Sequence, residues 1–239
     1  CQALEFDDGK VMLARNEGIG SLDYERLTAR LSAGRLREMA EQSSVIAFLN
    51  WSELQGSSSI WKGFLREILP ECERYGVRLA LHPDDPPVSP LKGISRILTS
   101  ADAFKRVFSL RESPMNGMTF CQGCFATMGE DIPASIRRFG KEKIFFVHFR
   151  DVQGTRERFQ ETFHDDGKTD MYEAMKTYYD IGFTGVARPD HVPTLLGEDN
   201  GNPSYGVLGN YFAVGYIKGL MEAAEQETRK LNAVRQEGG

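Results

Sequence analysis

The sequence predicts an α/β fold of parallel strands alternating with helices. Two observations carry that prediction and a third points to its function. Strand-like runs lie near residues 77–82, 117–121, 144–149 and 185–188, each followed by a polar loop. Helix-like stretches fill the gaps between them, which is the order a sheet built from βαβ units requires. The runs end in His82, Cys121 and His148, and Asp190 follows the last one. In an α/β barrel, metal ligands and acid/base groups stand at such strand ends, because the loops there carry the active site.

Each element has a local reason. Ser21 stands where it would cap a helix through Leu22, Leu27 and Leu31, and Gly34 weakens its continuation. Val45 to Leu49 is a short apolar run. Ile60, Phe64, Leu65, Ile68, Leu69 and Cys72 share one face of a helix over 60–75, with Pro70 expected to end or kink it and Gly76 to stop it. Ser100 caps a helix over 101–110. A further helix is predicted over 131–139, another over 169–180 with Gly182 as its stop, and a long one over 206–231. No low-complexity linker divides the chain. A single domain over 1–239 is expected, with 60–231 as a half-barrel and 232–239 as a tail.

Composition excludes several classes of function. The 29 basic and 34 acidic residues leave a net charge of −5, with no basic surface for nucleic acid or for a membrane. No apolar run approaches the ~18 residues of a membrane span. No signal-peptide pattern opens the chain. Its four cysteines, Cys1, Cys72, Cys121 and Cys124, are too few for a disulfide scaffold, so a reduced, cytoplasmic protein is expected. Residue 1 is a cysteine and not a methionine, from which the chain is expected to begin inside a longer sequence.

The strand-end residues His82, Cys121, His148 and Asp190 are 39, 27 and 42 positions apart, each about one βα unit. Two imidazoles, a thiolate and a carboxylate can hold a divalent transition metal with positions left for substrate. Singly, each has a plainer reading, as a hydrogen-bonded strand-end histidine or a small buried cysteine. Cys121-Gln122-Gly123-Cys124 has C-x-x-C spacing, but no second pair completes a zinc ribbon. The stretch 123–129 reads as loop and not as the helix a redox motif opens. Cys121 is therefore the ligand candidate and Cys124 incidental.

Other polar groups cluster near these four. Asp84 and Asp85 follow His82 between prolines, to orient His82, to touch a polar substrate, or as ordinary turn residues. Arg150 lies two residues beyond His148, on the same strand face, where it could hold a substrate carboxylate or pair with a neighbouring acid. His164 opens His-Asp-Asp-Gly, either a turn or a loop facing the substrate. His191 adjoins Asp190 as a proton carrier, and Tyr205 lies close enough in sequence to return to the site or simply to pack.

The motifs Leu-Ala-Leu-His-Pro-Asp-Asp-Pro-Pro (79–87), Thr-Phe-Cys-Gln-Gly (119–123), Val-His-Phe-Arg-Asp-Val (147–152), Phe-His-Asp-Asp-Gly-Lys-Thr-Asp-Met-Tyr-Glu (163–173) and Arg-Pro-Asp-His-Val-Pro (188–193) resemble those of mannonate dehydratase. The resemblance runs from about Trp61 to Leu220 and is thin over 1–59. It implies a (β/α)₈ TIM barrel like the xylose-isomerase group, and dehydration of D-mannonate to 2-keto-3-deoxy-D-gluconate in hexuronate (glucuronate) breakdown. Mn²⁺ or Fe²⁺ would be held by His82, Cys121, His148 and Asp190, with His191 and Tyr205 in proton transfer. Arg150, His164 and Asp84 would contact the sugar acid, and a homodimer is expected.

One departure from the family stands out: its first four strands are not visible, and residues 1–76 offer at most one short strand. Half a barrel exposes two sheet edges, so a missing N-terminal part is expected. The competing readings are a metal-dependent sugar isomerase of barrel type, which Cys121 argues against, and an inactive truncated barrel serving as a structural or interaction subunit.

Overall fold

A computed structural model describes residues 2–5, 11–15, 45–48, 58–91, 95–199, 201 and 205–237. The helix expected after Ser21 lies outside the described residues. The chain forms two compact units, residues 1–120 with 142–146, and residues 121–141 with 147–239.

In the first unit the strands β1 (Gln2–Glu5), β2 (Val11–Arg15), β3 (Val45–Phe48), β4 (Arg78–Leu81) and β5 (Asn116–Cys121) are neighbours in that order. β1 runs antiparallel to β2, with Gln2 opposite Arg15. The β2–β3, β3–β4 and β4–β5 pairs are parallel, with Val11 opposite Val45, Val45 opposite Arg78, and Leu79 opposite Asn116. The described residues of 1–76 therefore hold three strands, where the sequence predicts at most one. β1 and β2 are four and five residues long, too short for alternation to register, and pairing with neighbours defines them.

Helix α1 (Ser58–Tyr75) leads into β4. Its Phe64, Leu65, Ile68, Leu69 and Cys72 are buried at helical spacing. Burying each of the large apolar side chains contributes roughly 1.5–3 kcal/mol. Pro70 does not end the helix, which continues to Tyr75. Pro70 and Arg66 lie on the exposed face, where water can satisfy the carbonyl that lacks its usual i+4 donor. Gly76, at φ 68°, closes the helix, and the Val77 N–H donates to the Cys72 carbonyl at 2.9 Å. This bond completes a Schellman cap and turns the chain into β4. Ser100 caps α2 (Ala101–Leu110), its Oγ accepting from the Ala103 N–H at 3.2 Å.

In the second unit α3 (Gln122–Met128) opens directly after β5. The sequence reading had this stretch as loop. Gly123 hides the helix from propensity, and its presence there has a packing reason given below. α4 (Ile132–Lys143) starts at Asp131, whose Oδ1 accepts from the Ala134 N–H at 2.7 Å, and loses helical geometry at Gly140. β6 (Ile144–Phe149) is buried throughout. Beyond it β7 (Val152–Gly154) and β8 (Phe159–Glu161) form an antiparallel hairpin with Val152 opposite Glu161. Asp170 caps α5 (Met171–Asp180), and β9 (Val186–Pro189) and α6 (Val207–Glu237) complete the unit. Glu227 on α6 meets Tyr172 and Lys176 of α5. No helix among the described residues is long and apolar enough to cross a membrane.

Candidate active site

Cys121 ends β5, His148 is the fifth residue of β6, and Asp190 follows β9. All three are buried. The Asp190 Oδ2 lies 3.3 Å from His148 Nδ1 and 3.9 Å from Cys121 Sγ. One ligand-type atom from each residue lies within 4.8 Å of the others. Burial alone would raise the Asp190 carboxyl. The His148 imidazole, joined by Arg150 and His191, outweighs it and holds Asp190 well below the usual carboxylate range. Burial would likewise lower His148, but Asp190 beside it, with Cys121, raises it. A buried thiol, imidazole and ionised carboxylate converging in this way fit a divalent transition metal.

His82 directly follows β4 in the first unit and is buried. Its Nδ1 is 2.7 Å from the Pro83 carbonyl oxygen. A carbonyl only accepts, so Nδ1 carries the hydrogen and Nε2 presents its lone pair, the tautomer a metal ligand needs.

Arg150 is wholly buried. Its Nη1 donates to Glu161 Oε1 at 2.9 Å and contacts His191 Nδ1, and its Nη2 is 3.5 Å from Cys124 Sγ. Its Nε is 3.6 Å from Asp190 Oδ2. The guanidinium crosses directly over Gly123, where a Cβ would meet Arg150 Nε at 2.3 Å. Any larger residue at 123 would displace it, and this explains a glycine inside α3. These contacts match the ion-pair alternative for Arg150, since they already occupy both ends of its guanidinium.

His191 is part-buried and stands between two groups. Its Nε2 is 2.8 Å from the Tyr205 hydroxyl, and its Nδ1 is 3.1 Å from Glu161 Oε1. The two rings meet edge to face at 5.1 Å. Burial lowers His191, but the Glu161 hydrogen bond and the Asp190 charge prevail and its pKa is raised. The chain brings Tyr205 here by an isolated parallel bridge between Val192 and Tyr205.

His164 is buried, stacked on Phe149, and its Nε2 donates to the Phe149 carbonyl at 2.5 Å. Burial holds it neutral, with the Nδ1 lone pair unpartnered. Asp84 in the first unit is also buried, but its carboxylate is taken up by a loop. Oδ2 accepts from the Ile97 and Leu98 N–H groups at 3.0 and 2.8 Å, and Oδ1 from Arg96 at 3.3 Å. Three participants were not found from sequence. Glu161 sits in Phe-Gln-Glu-Thr-Phe-His (159–164), where three successive polar residues give no alternating pattern to signal the hairpin. Arg188 donates to Asp190 Oδ1 at 3.1 Å, and Cys124, taken as incidental, touches Arg150.

The sequence profile of the D-mannonate dehydratase (UxuA) family matches residues 3–231. The chain belongs to the D-mannonate dehydratase family. That family is metal-dependent, and the buried thiol–imidazole–carboxylate group is a candidate metal site in this member. The mannonate dehydratase of Thermotoga petrophila is 41% identical over 172 residues, which cover 70% of this chain and 47% of that protein. The chain thus spans about half the length of such relatives. The crystal structure of mannonate dehydratase from Streptococcus suis superposes with a TM-score of 0.72 at 24% identity, covering 82% of this chain and 72% of that one. A xylose isomerase domain protein from Alicyclobacillus acidocaldarius gives 0.63 at 17% identity, covering 84% and 72%. These likenesses establish the xylose-isomerase-like TIM-barrel fold for this dehydratase family member.

Proposed function

We propose that the protein dehydrates D-mannonate to 2-keto-3-deoxy-D-gluconate as a carbon–oxygen hydro-lyase of hexuronate catabolism. The observation that carries this reading is the His191–Tyr205 pair, 2.8 Å apart, on the residue next to the buried Asp190. Dehydration removes the C2 proton, which lies α to a carboxylate and is poorly acidic, and assists departure of the C3 hydroxyl. The resulting enol tautomerises to the keto acid. His191 and Tyr205 form the pair that carries these two protons. His82, Cys121, His148 and Asp190 would hold Mn²⁺ or Fe²⁺. That ion would supply Lewis-acid stabilisation of the enediolate-like charge. His164, neutral with its Nδ1 lone pair open, is suited to accept a substrate hydroxyl. Arg150 acts through Glu161, His191 and Asp190, and Asp84 through the loop behind His82.

A single barrel domain over residues 1–239 is part of this proposal, and the likeness to barrel proteins supports it. Exposed Val207, Leu208, Tyr211, Val214 and Met221 along α6 support a homodimer, which light scattering would test. Among the described residues, the buried thiols of Cys72, Cys121 and Cys124 form no disulfide with one another, which supports a reducing, cytoplasmic setting. The test of the reaction is metal analysis followed by incubation with D-mannonate, scored for a 2-keto-3-deoxy acid. Accumulation of that product is expected. A Mn²⁺- or Fe²⁺-loaded preparation that yields none overturns the reading.

A further inference from the structure

We infer that Glu161 is a positioning residue for the reaction: it fixes the proton of His191 on Nδ1, so that Nε2 faces the Tyr205 hydroxyl as an acceptor. This deepens the proposed function and rests on its reading of His191 and Tyr205 as the proton-transfer pair. Two groups face His191 Nδ1, and they make opposite demands. The Glu161 carboxylate, 3.1 Å away, can only accept, whereas the Arg150 guanidinium can only donate. A neutral imidazole satisfies one of them. Arg150 already has Glu161 Oε1 as an acceptor at 2.9 Å and Cys124 Sγ at 3.5 Å. Glu161 gains from Nδ1–H a second donor on the same oxygen. The ion pair and the histidine hydrogen bond then share that oxygen, while the closer contact between Arg150 Nη1 and His191 Nδ1 carries no hydrogen bond.

The consequence lies at the other end of the ring. With Nδ1 protonated, Nε2 carries a lone pair 2.8 Å from the Tyr205 oxygen, and the tyrosine hydroxyl donates to it. Proton movement between Tyr205 and His191 then needs no ring rotation. A histidine held by a carboxylate through one nitrogen while the other exchanges a proton is the recurring logic of oriented acid–base pairs. Arg150 places Glu161, and Gly123 leaves room for Arg150. A chain of contacts therefore runs from α3 to the reacting pair within the second unit.

Labelling histidine with ¹⁵N in the full, metal-free chain tests the inference. The chain has four histidines, so each ring is resolvable by multiple-bond ¹⁵N–¹H correlation, with His191→Gln identifying one set. At alkaline pH, where the ring is neutral, the proton is expected on Nδ1. Glu161→Leu leaves Arg150 facing that nitrogen, and the proton is expected to move to Nε2. Glu161→Asp keeps the charge and is expected to retain Nδ1–H. In the metal-loaded enzyme, Glu161→Leu should lower kcat for D-mannonate by at least about 10²-fold. KM should stay within about twofold, with partial recovery in Glu161→Asp. An Nε2–H ring in the unsubstituted protein overturns the inference, even where a variant fails to fold. So does an unmoved proton in folded Glu161→Leu, or a loss confined to KM. The spectrum needs no substrate, so an inactive enzyme with Nδ1–H would defeat the proposed reaction and leave the His191 assignment standing.

Discussion

The Tyr205 hydroxyl and His191 Nε2 lie 2.8 Å apart, with the two rings edge to face. Ring packing and proton exchange are thus separable. Tyr205→Phe keeps the edge-to-face contact and removes the oxygen. We predict a loss in kcat of at least about 10²-fold, the contribution of a positioned acid or base. Metal content and unfolding midpoint should hold at their original values. Steady-state kinetics beside elemental analysis checks this, and an active Tyr205→Phe enzyme would remove Tyr205 from the pair.

The two cysteines of the C-x-x-C make different contacts. Cys121 Sγ faces Asp190, whereas Cys124 Sγ faces Arg150 Nη2. Cys121→Ser replaces a thiolate by a poor ligand and should weaken Mn²⁺ binding by more than about 100-fold, beyond the 10–100-fold typical of outer partners. Cys124→Ser keeps a hydrogen-bonding atom near Arg150 and should stay within about tenfold. Titration with Mn²⁺ followed by electron paramagnetic resonance measures both. Equal effects would undo the assignment.

What the sequence disclosed follows from which forces are local. β4 and β6 are apolar runs and β5 a strand-like one, and the helix stop at Gly76 and the cap at Ser100 depend on one or two residues, so all were legible. His82, Cys121, His148 and Asp190 drew attention because each closes or follows such a run. α3 was not legible, because Gly123 answers to Arg150, 27 residues later. Glu161 was missed for the same reason: its partner His191 is 30 residues away, on a different element. Long-range polar pairing leaves no period in a sequence. Pro70 misled in the opposite direction: it removes one hydrogen bond and crowds one carbonyl, but at an exposed position the helix runs on past it to Tyr75.

Asp84 anchors a loop with both carboxylate oxygens. Removing one partner of a buried, charged hydrogen-bond set costs about 3–5 kcal/mol. Asp84→Ala should destabilise the fold by that order and raise amide exchange at Ile97 and Leu98 first. Denaturant titration and hydrogen exchange read the two effects. A stable variant with unchanged exchange and a raised KM would instead make Asp84 a substrate contact.

Cys72 is enclosed on the inner face of α1, and burial, followed by Glu73 and Glu71, pushes its thiol up to about 12. Only the thiolate reacts, so at pH 8 the reactive fraction is roughly 10⁻⁴, against about a quarter for an ordinary thiol of pKa ~8.5. Cys72 should resist alkylation in the native protein and label at once after unfolding, as peptide mass spectrometry would show. The linkage has a definite sign. The native state keeps a proton that the unfolded state releases above about pH 8.5. The contribution is therefore fully present below that pH and is lost as pH rises towards about 12. Rapid native labelling of Cys72 at pH 8 would show that the inner face of α1 opens far more often than its packing implies.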